Sequence, residues 1–164
     1  MSERFTAAQG RKVVSRASAE ELGSVSRLVV DTATRRIVLV VVGKRRSARV
    51  VHWDDFSGFG ADAAIVGEDT SLREPENDHE QAGAKGRLEL LGARALSDRG
   101  NELGKVDDVL FDPDTGALEA IIVGDHEAPA SSLLGVGSYA VVLRADDSEP
   151  ADGQPQRASS APPG

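Results

Sequence analysis

A pattern centred on Leu22-Gly23 returns 81 residues later at Leu103-Gly104. The first copy reads Leu-Gly-x-Val-x-x-Leu-x-Val-Asp, then Ile37, then an apolar run ending at Val42-Gly43. The second reads Leu-Gly-x-Val-x-x-Val-x-Phe-Asp, then Leu118, then Ile-Ile-Val-Gly at 121–124. Leu22, Gly23, Val25, Asp31, Val42 and Gly43 recur at the same spacing as Leu103, Gly104, Val106, Asp112, Val123 and Gly124. A repeat of this length implies two copies of one small fold rather than a single larger one. Each copy has roughly 60 residues, a size at which a lone core is marginal, so the halves are expected to pack on each other or on a second chain.

The core that such halves build is poor in large rings. There are one Trp, one Tyr and four Phe in 164 residues, so Val, Ala and Leu must fill most of it. Cysteine is absent, which excludes thiol catalysis, disulfides and Cys-ligated zinc and suits a reducing compartment. The opening Met-Ser-Glu-Arg-Phe lacks a charged-then-apolar leader, and the longest apolar run, Ile37 to Val42, is far short of the ~20 residues that cross a bilayer. The expectation is a soluble cytoplasmic protein with no integral membrane association.

Composition divides the chain further. Residues 1–9 read as a short flexible lead, 10–66 as the first globular unit and 85–145 as the second. Between them, residues 67–84 are polar, acidic and without hydrophobic periodicity, which predicts an extended, solvated linker. Residues 146–164 hold four prolines and no large apolar side chain, which predicts a disordered tail. Within the units the signals are short strands. Ile37 to Val42 is β-branched and continuous, as in a strand buried on both faces. Val106, Val109 and Phe111 lead into the turn Asp112-Pro-Asp-Thr-Gly116, and a second strand follows at Leu118 to Val123. The matching turn at Asp31 to Arg36 lacks Pro and Gly, which predicts a looser hairpin. Trp53 to Phe56 and Ala130 to Leu133 read as single helical turns. Gly58-x-Gly60 and Gly135-x-Gly137 read as corners that use glycine's free dihedrals, before closing strands at 63–66 and 139–143. Five or so short strands per unit predict an all-β protein of two small barrels.

The run Gly100 to Gly116, the strand Leu118 to Val123 and the Pro-x-Ser-Leu-like turn at Pro129 to Leu133 resemble a PRC-barrel domain. The first unit carries a more divergent form of the same pattern, with Leu22-Gly23 and Asp31 but without the Asp-Pro-x-Thr-Gly turn. The family includes the photosynthetic reaction-centre H subunit and the C-terminal half of a ribosome-maturation factor. The resemblance implies a tandem pair of barrels that hold other macromolecules, and it implies no catalytic residue.

No catalytic, cofactor or metal set emerges from the residues themselves either. His52, His79 and His126 lack companions at zinc-ligand spacing, and no Ser-His-Asp arrangement can be assembled. Asp112-Pro-Asp114 lacks the closing Glu and spaced oxygens of a calcium loop, and its Asp is read as a turn residue. Charge is the sharper signal. Residues 10–51 carry ten Lys or Arg against three acids, while 52–82 carry nine acids against one Arg. Arg35, Arg36, Lys44, Arg45, Arg46 and Arg49 bracket the apolar strand at its two ends and form the candidate partner-binding set. The first reading is a non-enzymatic adaptor or assembly module that binds another protein. The opposite poles also favour head-to-tail self-association. RNA or the ribosome is the alternative partner, weakened by the scarcity of aromatic stacking platforms and by a net charge of −8.

Overall fold

A computed structural model describes residues 2–145, and the segment read as a disordered tail lies outside the described residues. The protein is mostly β. In chain order the elements are β1 (Glu3–Arg4), α1 (Phe5–Ala8), β2 (Lys12–Ser15), β3 (Glu21–Asp31), β4 (Arg36–Val42), β5 (Arg49–His52), β6 (Phe56–Phe59) and β7 (Ala63–Val66). Then follow α2 (Asp78–Ala84), β8 (Arg94–Ser97), β9 (Glu102–Phe111), β10 (Leu118–Val123), β11 (His126–Pro129), β12 (Leu133–Val136) and β13 (Val141–Leu143). Single 3₁₀ turns stand at Trp53–Asp55 and Ala130–Ser132, as read from the sequence.

Two sheets result, and their strand orders match. The first runs β5-β4-β3-β2-β7-β6 and the second β11-β10-β9-β8-β13-β12, with β1 added beside β9. In each, one pair is parallel, β2 with β7 and β8 with β13, and the rest are antiparallel. Neither sheet closes on itself. Among the described residues no pairing joins β5 to β6 or β11 to β12.

The Leu-Gly signature has a steric cause. Gly23 and Gly104 take φ of +151° and +127°, and a Cβ at either would meet the repeated valine opposite, Val42 Cγ1 at 2.7 Å or Val123 Cγ1 at 3.2 Å. The long strands β3 and β9 therefore press against β4 and β10 at a point where only glycine fits. In β4 the continuous apolar run is buried on both faces. Ile37, Val40 and Val42 join the main core, whereas Leu39 and Val41 point the other way into a second cluster with Val29, Ala48 and Val50.

That second cluster corrects the reading of residues 67–84 as an extended, solvated connection. Arg73 bridges to Val50 on the outer edge of β5, with Val50 N–H donating to Arg73 O at 2.8 Å and Arg73 N–H to Val50 O at 3.1 Å. Helix α2 then lies against β3, β4 and β5. A Cβ on Gly83 would come within 2.8 Å of Val29 Cγ2, so the helix backbone itself is the packing surface. The helix starts on Asn77, whose Oδ1 accepts from Glu80 N–H at 2.8 Å. The segment lacks periodicity because backbone and small residues, not large apolar ones, cover the sheet.

Nor do residues 2–9 form a flexible lead. Glu3 and Arg4 pair with Phe111 and Leu110 of β9, and Phe5 and Ala8 are buried on one face of the following turn. Phe5 meets Phe111 edge-on at 5.5 Å between ring centroids. Asp108, 7 % exposed, accepts from Thr6 Oγ1 at 2.7 Å and from Thr6 N–H at 3.2 Å. Burial would raise its carboxyl, but these bonds, with those from Val109 N–H and Arg4, outweigh it and hold the group below its ordinary range.

Two smaller expectations also change. The Asp31 hairpin is as tightly bonded as its counterpart. Asp31 Oδ1 accepts from Ala33 N–H at 3.2 Å and its carbonyl from Arg35 N–H at 2.7 Å. Asp112 does the same with Asp114 N–H at 2.9 Å and Gly116 N–H at 2.7 Å. Arg35 supplies the left-handed residue, φ +54°, where the second hairpin uses Gly116 at +79°. The corner glycines 58, 60, 135 and 137 keep φ outside the left-handed region. There, Gly60 N–H and Gly137 N–H close the turns onto Ala63 O and Ala140 O.

Candidate functional site

The two hairpin turns meet. Arg36 and Ala117 form an antiparallel bridge, with Ile37 N–H donating to Gly116 O at 2.8 Å and Leu118 N–H to Arg35 O at 2.9 Å. Arg35, Arg36 and Ile37 are the repeat partners of Gly116, Ala117 and Leu118 at the 81-residue offset, so this contact obeys a local twofold relation. Beside it the core is asymmetric. Trp53 lies over Gly116, and its indole stands 5.2 Å from Phe59, 5.8 Å from Phe56 and 6.2 Å from Phe111. All four phenylalanines and the tryptophan thus gather at one side of the joint.

This joint absorbs part of the basic set. Arg35 Nε donates to Leu133 O at 3.1 Å, and Arg36 Nη2 donates to Thr115 O at 2.6 Å. Both arginines hold one half against the other. Lys44, Arg46 and Arg49 instead lie exposed at the far end of β4, and Arg45 belongs to the same short turn, Arg45–Ser47. The structure therefore splits the six residues into a structural pair and a loop cluster, separated by the seven residues of β4 or about 20 Å.

The equivalent loop in the second half is acidic. Val123 and His126 close the β10–β11 turn, with Asp125 and Glu127 exposed and Asp107 Oδ2 accepting from Gly124 N–H at 2.8 Å. A second surface was not legible as a unit in the sequence. Leu96 and Val142 are register partners that face outward between buried neighbours, and Leu134 and Leu103 flank them at 37 % and 39 % exposure. Tyr139, 73 % exposed, stands nearby with its ring 5.2 Å under the Arg94 guanidinium. Alternation in 94–97 and 141–143 was the available signal, but it needed the parallel pairing of β8 with β13 to join the two strands.

An open groove of about 560 Å³ runs beside the joint, lined by Asp31, Arg36, His52, Trp53, Asp54 and Asp55 among others. Next to it, Arg73 holds down the segment from Glu68 to Leu88, a strap across the sheet. Its guanidinium donates to Glu80 Oε1 and Oε2 at 2.7 and 2.6 Å and lies 2.5 Å from His52 Nε2. The Arg73 hydrogen bonds hold the Glu80 carboxyl at a pKa of about 2 against its burial, and Arg73 is raised in turn. His79 lies on α2, His126 opens β11, and no three His, Cys, Asp or Glu among the described residues are placed to hold a metal ion.

This geometry belongs to a known family over the second half. Residues 87–142, from the turn before β8 into β13, match the family model of the PRC-barrel domain. That segment is a PRC-barrel domain. It contains the Leu-Gly contact, the Asp-Pro-Asp-Thr-Gly turn and the outward apolar row, so all three are features of the PRC-barrel half. Comparison with curated proteins gives no match.

Proposed function

We infer that the chain is a non-enzymatic adaptor or assembly module that binds another protein in the cytoplasm. In this reading the first half is a divergent PRC-type barrel, paired with the matched domain through the twofold joint. The observation that carries it is the outward apolar row of the PRC-barrel half. Leu103, Leu134 and Tyr139 are the three large hydrophobic residues left exposed among the described residues, and all three lie in that half. Contiguous exposed apolar surface with a charged rim is the composition of a protein-binding site. Arg94 and Glu102, 4.0 Å apart, supply such a rim. Among the described residues no helix is long and apolar enough to cross a membrane.

The test is affinity capture from native cells with and without nuclease, using the wild type and Leu134→Glu. A stoichiometric protein that survives nuclease and is lost with Leu134→Glu supports the adaptor. Capture indifferent to that change overturns the assigned face. RNA or a ribosome is the second reading, favoured by the exposure of Lys44, Arg46 and Arg49 on one loop. Its signature is binding that vanishes with nuclease, weakens steeply with salt and fails in Arg46→Glu.

A further inference from the structure

The hairpins β4–β5 and β10–β11 hold equivalent places in the two sheets and differ in sign, the first with the longer turn. Val41 faces Val50 in the first, and its repeat partner Ile122 faces Glu127 in the second. From Thr32 to Trp53 the chain carries Arg35, Arg36, Lys44, Arg45, Arg46 and Arg49 and no carboxylate. From Pro113 to Ala130 it carries Asp114, Glu119, Asp125 and Glu127 and neither Lys nor Arg. Folding does not require this segregation. Lys44, Arg46, Arg49, Asp125 and Glu127 are exposed, and among the described residues none of them enters a salt bridge.

Topology places the two charges apart. The Arg36–Ala117 bridge is antiparallel, so β4 leaves the joint in one direction and β10 in the other. The basic turn and the acidic turn therefore point to opposite ends of the molecule. The two sheet edges there also differ. Arg73 covers β5, whereas β11 ends its sheet without a further strand among the described residues. An open edge flanked by acids accepts a basic neighbour and repels another copy of itself.

We propose that the protein self-associates head to tail, with the Lys44/Arg46/Arg49 turn of one copy seated on the Asp125/Glu127 hairpin of the next. The contact joins two different patches, so it generates a ring or an open filament rather than a closed dimer. It uses Asp125 and Glu127 rather than Leu103 and Leu134, so it adds to the adaptor reading and does not depend on it.

Sedimentation velocity on the nuclease-treated full chain tests this, first at about 0.02 M salt and then at about 0.3 M, where the screening length falls severalfold. The wild type is expected to grow in mass with concentration at low salt and to return to monomer at high salt. The variant K44E/R46E/R49E makes both ends acidic, and D125K/E127K makes both basic. Each alone is expected to associate at least about tenfold more weakly than wild type, and an equimolar mixture of the two to associate again. Circular dichroism on both variants confirms that the fold is intact. A wild type that stays monomeric at low salt overturns the proposal, as does association that neither charge reversal changes. A monomer that still captures a protein through Leu134 leaves the adaptor standing while this inference falls.

Discussion

Gly116 and Arg35 hold the same place in the two hairpins, and the joint between the halves is built on their backbone. Arg35 bears the left-handed conformation with a full side chain, and that side chain is used: its Nε reaches Leu133 O. Gly116 has no such latitude. A Cβ there would lie 2.8 Å from Trp53 Nε1, in addition to the ~1–2 kcal/mol that a left-handed φ costs an L-residue. Gly116→Ala is expected to destabilise the protein by about 2–4 kcal/mol, the conformational cost plus that of moving a packed indole. Chemical denaturation followed by Trp53 fluorescence reads it. An unchanged midpoint with an unchanged emission maximum would show that the joint is looser than its bond lengths indicate. The turn itself was visible in the sequence as Asp-Pro-x-Thr-Gly. Its partner was not, because an arginine gives no sign of a left-handed backbone. For the same reason Arg35 and Arg36 read as surface charge alone, whereas their side chains also bond across the joint, Arg36 while staying exposed.

At the scale of elements, the strap from Glu68 to Leu88 is the part of the fold that composition concealed. Its acids suggested solvent, yet Glu80 is only 5 % exposed, fixed by Arg73 with His52 and Glu76 around it. Two signs were present. Both faces of β4 are apolar and so required a cover on each side, and Asn77-x-x-Glu80 is a helix-start pattern. What could not be read was the occupant, since Gly83 and Ala84 pack through backbone and methyl groups. Strands β4 and β10, by contrast, were legible almost to the residue, because β-branched runs bounded by glycine have few other ways to fold. The Glu80 carboxyl is depressed to about 2 from an ordinary value of 4.5, so it stabilises the folded state fully above about pH 4.5. That contribution is lost as the pH falls from 4.5 toward 2. Hydrogen-exchange protection across 68–88, taken relative to the intrinsic exchange rate at each pH, is expected to fall over this window in the wild type. In Glu80→Gln the strap should exchange faster at pH 7 and respond much less to acid. Identical pH profiles for the two proteins would mean that Glu80 does not hold the strap.

For the whole molecule the question is whether two halves of marginal size fold as one. Phe111 belongs to the PRC-barrel half by sequence, but Phe5, Trp53 and Phe59 close around it from the other. Thr6 and Arg4 bind Asp108 across the same boundary, and the Arg36–Ala117 bridge joins the sheets a few residues away. Each half therefore completes its core with residues of the other, which couples their unfolding. Phe111 is fully buried, and its truncation to Ala is expected to cost about 3–5 kcal/mol. The sharper expectation concerns cooperativity. Trp53 fluorescence reports the first half and far-UV circular dichroism reports both, and in Phe111→Ala the two transitions should move down together and stay coincident. A dichroism curve that splits while the Trp53 transition holds its place would show two independent domains on a tether. Coincident curves would mean that the twofold joint is part of the folding unit, so that any partner docking on one half acts on the stability of the other.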